Sequence, residues 1–182
     1  IALHKGEIIE PFGIFYSEKT NIVIVRAISP VKDIEWEATK ALEELADQIK
    51  AKEIIAIEGV GSDGREPEPE AFFYTNDVSR AKKFGSIGLK KLNEGVIVGI
   101  SAALLATRPD TTCIFSEAFS NVPDSRAAAK VVEVLNDYLN LKIDNSPLVK
   151  KAEGFEKKIK GILVKSVQAN AAQQEKEESY FG

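Results

Sequence analysis

The 182-residue chain is predicted to fold as a single α/β domain, and three observations carry that prediction. Residues 94–141 run strand, helix, strand, helix, the order that builds a sheet layered with helices. A β-branched run at 22–28 is followed by an apolar stripe at helical spacing and a further strand at 53–57. A hydrophobic fraction of 44% supplies one well-buried core, and the length favours one domain over two. That domain is expected to span 1–165, with 166–182 as a flexible C-terminal tail.

Short extended pieces are expected at 8–9 and 14–16, then a turn over 17–20 that leads into the strand at 22–28. Only Arg26 interrupts that strand, so it reads as covered on both faces, and Pro30 ends it. Asp33 is placed to cap the next helix, with Glu35 and Glu37 in its first turn, where the helix dipole favours negative charge. Ile34, Ala38, Ala41, Leu42, Leu45 and Ile49 recur every three or four residues, predicting a helix face laid on a sheet. After the strand at 53–57, residues 59–70 read as loop, 71–74 as a short strand and 77–84 as one or two helical turns. The stretch 85–93 fits neither period.

Residues 96–98 are predicted as a strand that meets a small-residue turn and helix start at Gly99, Ile100, Ser101, Ala102 and Ala103. The strand at 112–115 delivers Glu117 to a loop. Asp124, Ser125 and Arg126 then open a helix carrying Val131, Val132, Val134, Leu135 and Leu139. Asp144 or Asn145 caps a final helix with Pro147 at its first position, where a missing N–H costs no bond. Leu148, Ala152, Phe155, Ile159 and Ile162 form its stripe. From Ser166 the composition turns to Gln, Ala, Asn, Glu and Lys, too polar to fold alone, and no repeat of fixed period is present.

A net charge of −4 supplies no overall basic face, which argues against a nucleic-acid-binding protein. A single cysteine, Cys113, cannot form an internal disulfide, and no apolar run reaches transmembrane length. The expectation is a soluble, cytoplasmic protein. The chain begins at Ile1, shows no signal-peptide pattern and contains no methionine, so it reads as a truncated or processed sequence.

Gly59, Gly61 and Gly64 match G-x-G-x-x-G directly after a strand. That fingerprint needs a helix N-terminus immediately afterwards to hold a pyrophosphate. Here Arg65, Glu66, Pro67, Glu68, Pro69 and Glu70 follow; the prolines oppose a helix and the carboxylates repel phosphate. The glycines read as a turn-rich loop, and no cofactor is expected.

Glu58, Glu117 and Asp124 fall just past strand ends or at a helix start, where α/β sheets place ligand sites. Such a trio can share acid and base roles or bind a cation. The structural alternative puts Asp124 in the first turn of its helix, paired with Arg126 or Lys130. His4, the only histidine, stands near the start of the chain, which opposes a histidine-based triad. Cys113, inside a strand with no second cysteine or nearby histidine, reads as a small core hydrophobe, so neither a catalytic residue nor a metal site is expected. Lys150, Lys151, Lys157, Lys158 and Lys160 alternate with Glu153 and Glu156 and read as a solvated face.

Tyr180 and Phe181 stand at the tip of a polar tail, tethered away from any core. Their chemistry fits capture by a partner: the rings fill a pocket and the terminal carboxylate of Gly182 pairs with a cation at its mouth. The other reading is an end without a role.

Residues 94–105 (EGVIVGISAALL), 113–126 (CIFSEAFSNVPDSR) and the following AAAKVVEVLNDYLNLKID resemble the archaeal members of the proteasome assembly chaperone family, relatives of the second eukaryotic assembly chaperone. Pro147, Leu148 and the KAE of 151–153 continue the likeness, which covers about 22–162 and is tightest over 95–129. The resemblance implies a three-layer Rossmann-like sheet, related in shape to nucleoside phosphorylases, with helices on both faces and a C-terminal helix plus flexible tail. It further implies a homo-oligomer that binds the α-ring of the proteasome core particle. The family's tail pattern is a hydrophobic residue, a tyrosine and any residue; Tyr180 takes the hydrophobic place, Phe181 the tyrosine place and Gly182 the carboxylate. Phe181 lacks the phenol that would donate a hydrogen bond. The strand and glycine-rich turn with which family members begin have no match in 1–30. The resulting expectation is an ATP-independent, non-enzymatic binding module. The competing one is a nucleoside-phosphorylase-like hydrolase or transferase using Glu58, Glu117 or Asp124.

Overall fold

The structure is a computed structural model that describes residues 2–4, 7–9, 12–27, 33–61, 68–119, 124–151 and 154. At its centre lies a four-stranded mixed sheet. It comprises β5 (Ile55–Gly61), β6 (Ala71–Tyr74), β7 (Lys90–Lys91) and β8 (Thr112–Ala118), in the order β5-β8-β6-β7. β8 runs parallel to β5 and antiparallel to β6, while β6 and β7 are parallel. Two hairpins precede the sheet: β1 (Ala2–His4) with β2 (Glu7–Ile9), and β3 (Phe12–Ser17) with β4 (Ile22–Ala27). The helices are α1 (Glu35–Gln48), α2 (Val78–Ser86), α3 (Gly99–Thr107) and α4 (Ser125–Leu139).

β8, like β6, is flanked on both edges, and its first five residues are all buried. Strand alternation divides them between two faces. Ile114 and its β6 partner Phe73 point to one face, where they pack with Ala71, Phe84 of α2, and Val134 and Tyr138 of α4. The Phe84 ring stacks on Phe73 at 4.8 Å between centroids and on Tyr138 at 3.9 Å. Burying side chains of this size contributes roughly 1.5–3 kcal/mol each before stacking is added. Cys113 and Phe115 point to the opposite face and are buried too. α3 contacts β5, and α1 packs on α3. The expected α/β architecture, a sheet with helices on both faces, is therefore present.

The helix ends follow their capping chemistry. Asp77 accepts from the Arg80 N–H (2.8 Å) and opens α2. Asn140, left-handed at φ 54° and ψ 43°, closes α4. After α4 a helical turn begins at Ser146, with Asp144 accepting from the Ser146 N–H and Pro147 one position further in. Ala152, Phe155, Ile159 and Ile162 of the predicted stripe lie outside the described residues, as does Pro30.

Several expectations need correction. Within the predicted strand at 22–28, β4 spans Ile22–Ala27, but among the described residues it pairs only with β3 in a separate two-stranded sheet and no helix covers it, and Ile24 and Val25 are exposed. Asp33 does not cap α1. It sits at φ 68°, one residue outside Ile34, which occupies the cap without a side-chain bond. The buried side of α1 centres on Thr39 and Ala46 and meets α3 rather than a sheet, leaving Ile34 and Ile49 exposed.

β5 extends to Gly61, so 59–61 is strand rather than loop. Residues 96–98 form no strand. The Leu92 N–H bonds the Phe73 carbonyl (2.8 Å), the chain then leaves the sheet, and Val96 is 92% exposed before Gly99 turns at φ 68° into α3. The ambiguous stretch 85–93 holds β7, whose two residues are too few to show a period.

Candidate functional site

The three carboxylates proposed from sequence occupy distinct structural roles. Glu117 lies within β8, and its Oε2 accepts from the Glu70 N–H at 2.9 Å while its own N–H donates to the Glu70 carbonyl at 2.9 Å. It thereby ties the entry of β6 to β8. Asp124 is the N-cap of α4: Oδ1 accepts from the Arg126 and Ala127 N–H groups (3.1 and 3.0 Å) and Oδ2 from the Phe119 N–H (3.2 Å). These bonds satisfy orphan helix donors and pull the end of β8 toward the helix start. Lys130, one of the predicted partners of Asp124, pairs with Glu133 at 2.8 Å, and the Arg126 guanidinium reaches Glu68 at 3.5 Å.

Glu58 lies inside β5, opposite Phe115, not beyond the strand end. Register places Val60, not Glu58, beside Glu117. The Oε2 of Glu58 is buried without a hydrogen-bond partner. Burial first, and the neighbouring Glu58 charge second, push the Cys113 thiol up to about 12. A thiol held protonated is a poor nucleophile, in keeping with a core cysteine. Among the described residues no group of three His, Cys, Asp or Glu side chains is placed to hold a metal ion.

Gly59 and Gly61 belong to β5, while Gly64 lies outside the described residues. His4 is in β1, opposite Glu7. Lys150 and Lys151 are exposed, and Lys157, Lys158 and Lys160 lie outside the described residues. So do Tyr180, Phe181 and Gly182, the proposed partner-binding residues.

Sequence reading missed one polar cluster altogether. The Glu53 carboxylate accepts from Thr112 Oγ1 (2.6 Å) and from the Tyr138 hydroxyl (3.0 Å), and it lies 3.4 Å from Arg80 Nε. Arg80 also donates to the carbonyls of Lys52 and Asp110. Burial, then the charge and hydrogen bond of Glu53, raise the Tyr138 phenol well above its ordinary value. The cluster sits where β5 and β8 begin, opposite the strand ends at which α/β sheets bind ligands. It locks two strands to two helices. No local signal announces it, because Arg80, Thr112 and Tyr138 lie 27, 59 and 85 positions from Glu53 in the chain.

Comparison with known proteins places this arrangement. The model of the PAC2 family matches residues 1–163. Among solved structures the chain is similar to Pyrococcus furiosus PbaA, described as an archaeal homolog of proteasome-assembly chaperone. The monoclinic form is 27% identical, with a TM-score of 0.79 over 100% of this chain and 77% of that one. A second PbaA structure is 30% identical, with a TM-score of 0.73 over 88% of this chain and 73% of that one. P. furiosus PbaB, described as an archaeal proteasome activator, shares the fold at 18% identity and a TM-score of 0.72, over 88% of this chain and 75% of that one. No curated protein matches the chain. Its sequence match to the family model from residue 1 to residue 163, together with the PbaA-like sheet, makes the chain a member of the PAC2 family of proteasome-assembly-chaperone homologues.

Proposed function

We propose that this chain is a proteasome assembly chaperone that binds the α-ring of the core particle through its C-terminal aromatic tail, Tyr180, Phe181 and Gly182, without ATP. The observation that carries the reading is the family match over residues 1–163, joined to the 30% identity with PbaA. In this reading residues 1–165 form one α/β domain acting as a scaffold in the cytoplasm, 166–182 form the flexible tail, and the chain assembles as a homo-oligomer. Each tail supplies a small aromatic anchor and a carboxylate, and several tails on one oligomer gain avidity through effective concentration. The roles of Glu117 and Asp124 as backbone caps fit a scaffold that does no chemistry.

A pull-down of proteasome α-subunits from native lysate, with and without Ser179 to Gly182, tests the reading. The full chain is expected to retain the subunits with or without added nucleotide, and the shortened chain to lose them. Retention by the shortened chain removes the tail from the account; retention only with ATP removes the nucleotide-independent mechanism.

A further inference from the structure

We propose that Asn136 is a positioning residue that fixes the angle at which the C-terminal segment leaves the α/β fold; its functional part rests on the tail reading above. α4 ends at Leu139, Asn140 turns the chain in a left-handed conformation, and the Leu141 N–H donates to the Asn136 carbonyl at 2.9 Å. The Asn136 side chain then grips the chain seven residues on. Its Nδ2 donates to the Ile143 carbonyl (2.7 Å), and its Oδ1 accepts from the Ile143 N–H (3.1 Å). One amide thus satisfies both backbone groups of one residue, as a neighbouring strand would.

The next residue continues the device. Asp144 accepts from the Ser146 N–H and from the Ser146 hydroxyl, both at 2.9 Å, and starts the helical turn at 146–151. Asn145 and Val149 share a shallow cleft with Ala129, Lys130 and Glu133 of α4, so this turn lies beside that helix. Ile143 itself is 49% exposed and its neighbours Lys142 and Asp144 are exposed too. Apolar burial therefore does little to hold Ile143 itself, and the two Asn136 bonds fasten it. Tails that must reach several pockets at once depend on that anchor, because a swinging segment lowers their effective concentration at the partner.

Trypsin cleavage after Lys142, on the full chain, reads the clamp directly. Asn136→Ala, which lacks both bonds, is expected to be cut on the order of ten times faster than the parent. The isosteric Asn136→Asp keeps the acceptor for the Ile143 N–H but sets an anionic oxygen against the Ile143 carbonyl, so it too is expected to be cut faster. It provides the same comparison should Asn136→Ala fail to fold. Parental cleavage rates in folded variants overturn the clamp.

Capture of proteasome α-subunits tests positioning. Weaker capture at an unchanged melting midpoint supports it. Undiminished capture overturns it, provided the parent loses capture when Ser179 to Gly182 are deleted. If that deletion leaves the parent's capture intact, the tail reading falls, and with it the positioning role, while the cleavage rates still decide the clamp.

Discussion

The sheet face beneath α2 and α4 and the hairpin β3–β4 are built from the same kinds of residue and stand in opposite environments. On the first, Phe84 and Ile114 are both 0% exposed. On the second, Phe12 is 50% exposed and Ile14 64%, and Phe15, Tyr16 and Ile24 also face outward. The hairpin register is complete over six pairs, from Phe12 with Ala27 to Ser17 with Ile22, so its ladder is as regular as that of the central sheet. Among the described residues, the difference lies in what is stacked on each. A β-branched run makes a strand, but a helix laid across it makes a core, and a lone two-stranded hairpin has little to stabilise it beyond its own cross-strand pairs. Arg26 over the Phe15 ring, at 5.0 Å, is one such local contact.

The largest effect that sharpens this contrast is expected from Phe84→Ala. It removes a ring stacked on both Phe73 and Tyr138, and the loss should be about 3–5 kcal/mol in a urea unfolding midpoint series. A loss below about 1 kcal/mol would mean this face is loosely packed. Next comes Glu53→Ala, which leaves Arg80, Thr112 and the Tyr138 hydroxyl without their shared acceptor and should cost roughly 1–3 kcal/mol by the same measurement.

Tyr138→Phe is smaller, about 1 kcal/mol at neutral pH, and it carries a pH signature. The phenol is raised above its ordinary 10.0 in the folded chain, so the unfolded chain releases that proton first. Stability from this group is complete below pH 10 and declines as pH rises through and beyond it. Cys113, raised to about 12 from 9.0, acts in the same direction. Replacing Tyr138 by Phe should flatten part of the alkaline loss in thermal melts taken from pH 8 to 11; an unchanged slope would contradict the half-buried Glu53–Tyr138 bond.

The smallest effect is expected at the hairpin. Ile14→Ser should change stability by no more than about 0.5 kcal/mol, the range for exposed positions. A loss of about 2 kcal/mol or more would show that this face is covered in solution.

Much of the architecture was legible in the sequence because it rests on local periodicity. The strands at β4, β6 and β8, the helices α1 and α4, and Asp124 at a helix start all follow from spacing or capping chemistry within a few residues. What escaped depends on distant pairing. Residues 96–98 have strand composition yet pair with no strand among the described residues, and the apolar character of β4 predicted a cover that the described residues do not supply. Glu58 looked like a strand-end carboxylate only because β5 runs four residues past 57. The Glu53 cluster and the Asn136 grip on Ile143 arise once α2 and α4 are folded, and isolated Glu and Asn residues carry no mark of either. The family motifs over 94–144 were readable because small and charged residues at fixed spacing there are unlike generic core.

The central claim is that a quiet scaffold acts through its aromatic end, and binding of purified proteasome α-rings to the immobilised chain tests it most directly. The full chain is expected to hold the rings, with dissociation at least tenfold faster once Ser179 to Gly182 are removed, in line with the loss of aromatic anchors at a small interface. Equal dissociation of the two chains would contradict the account.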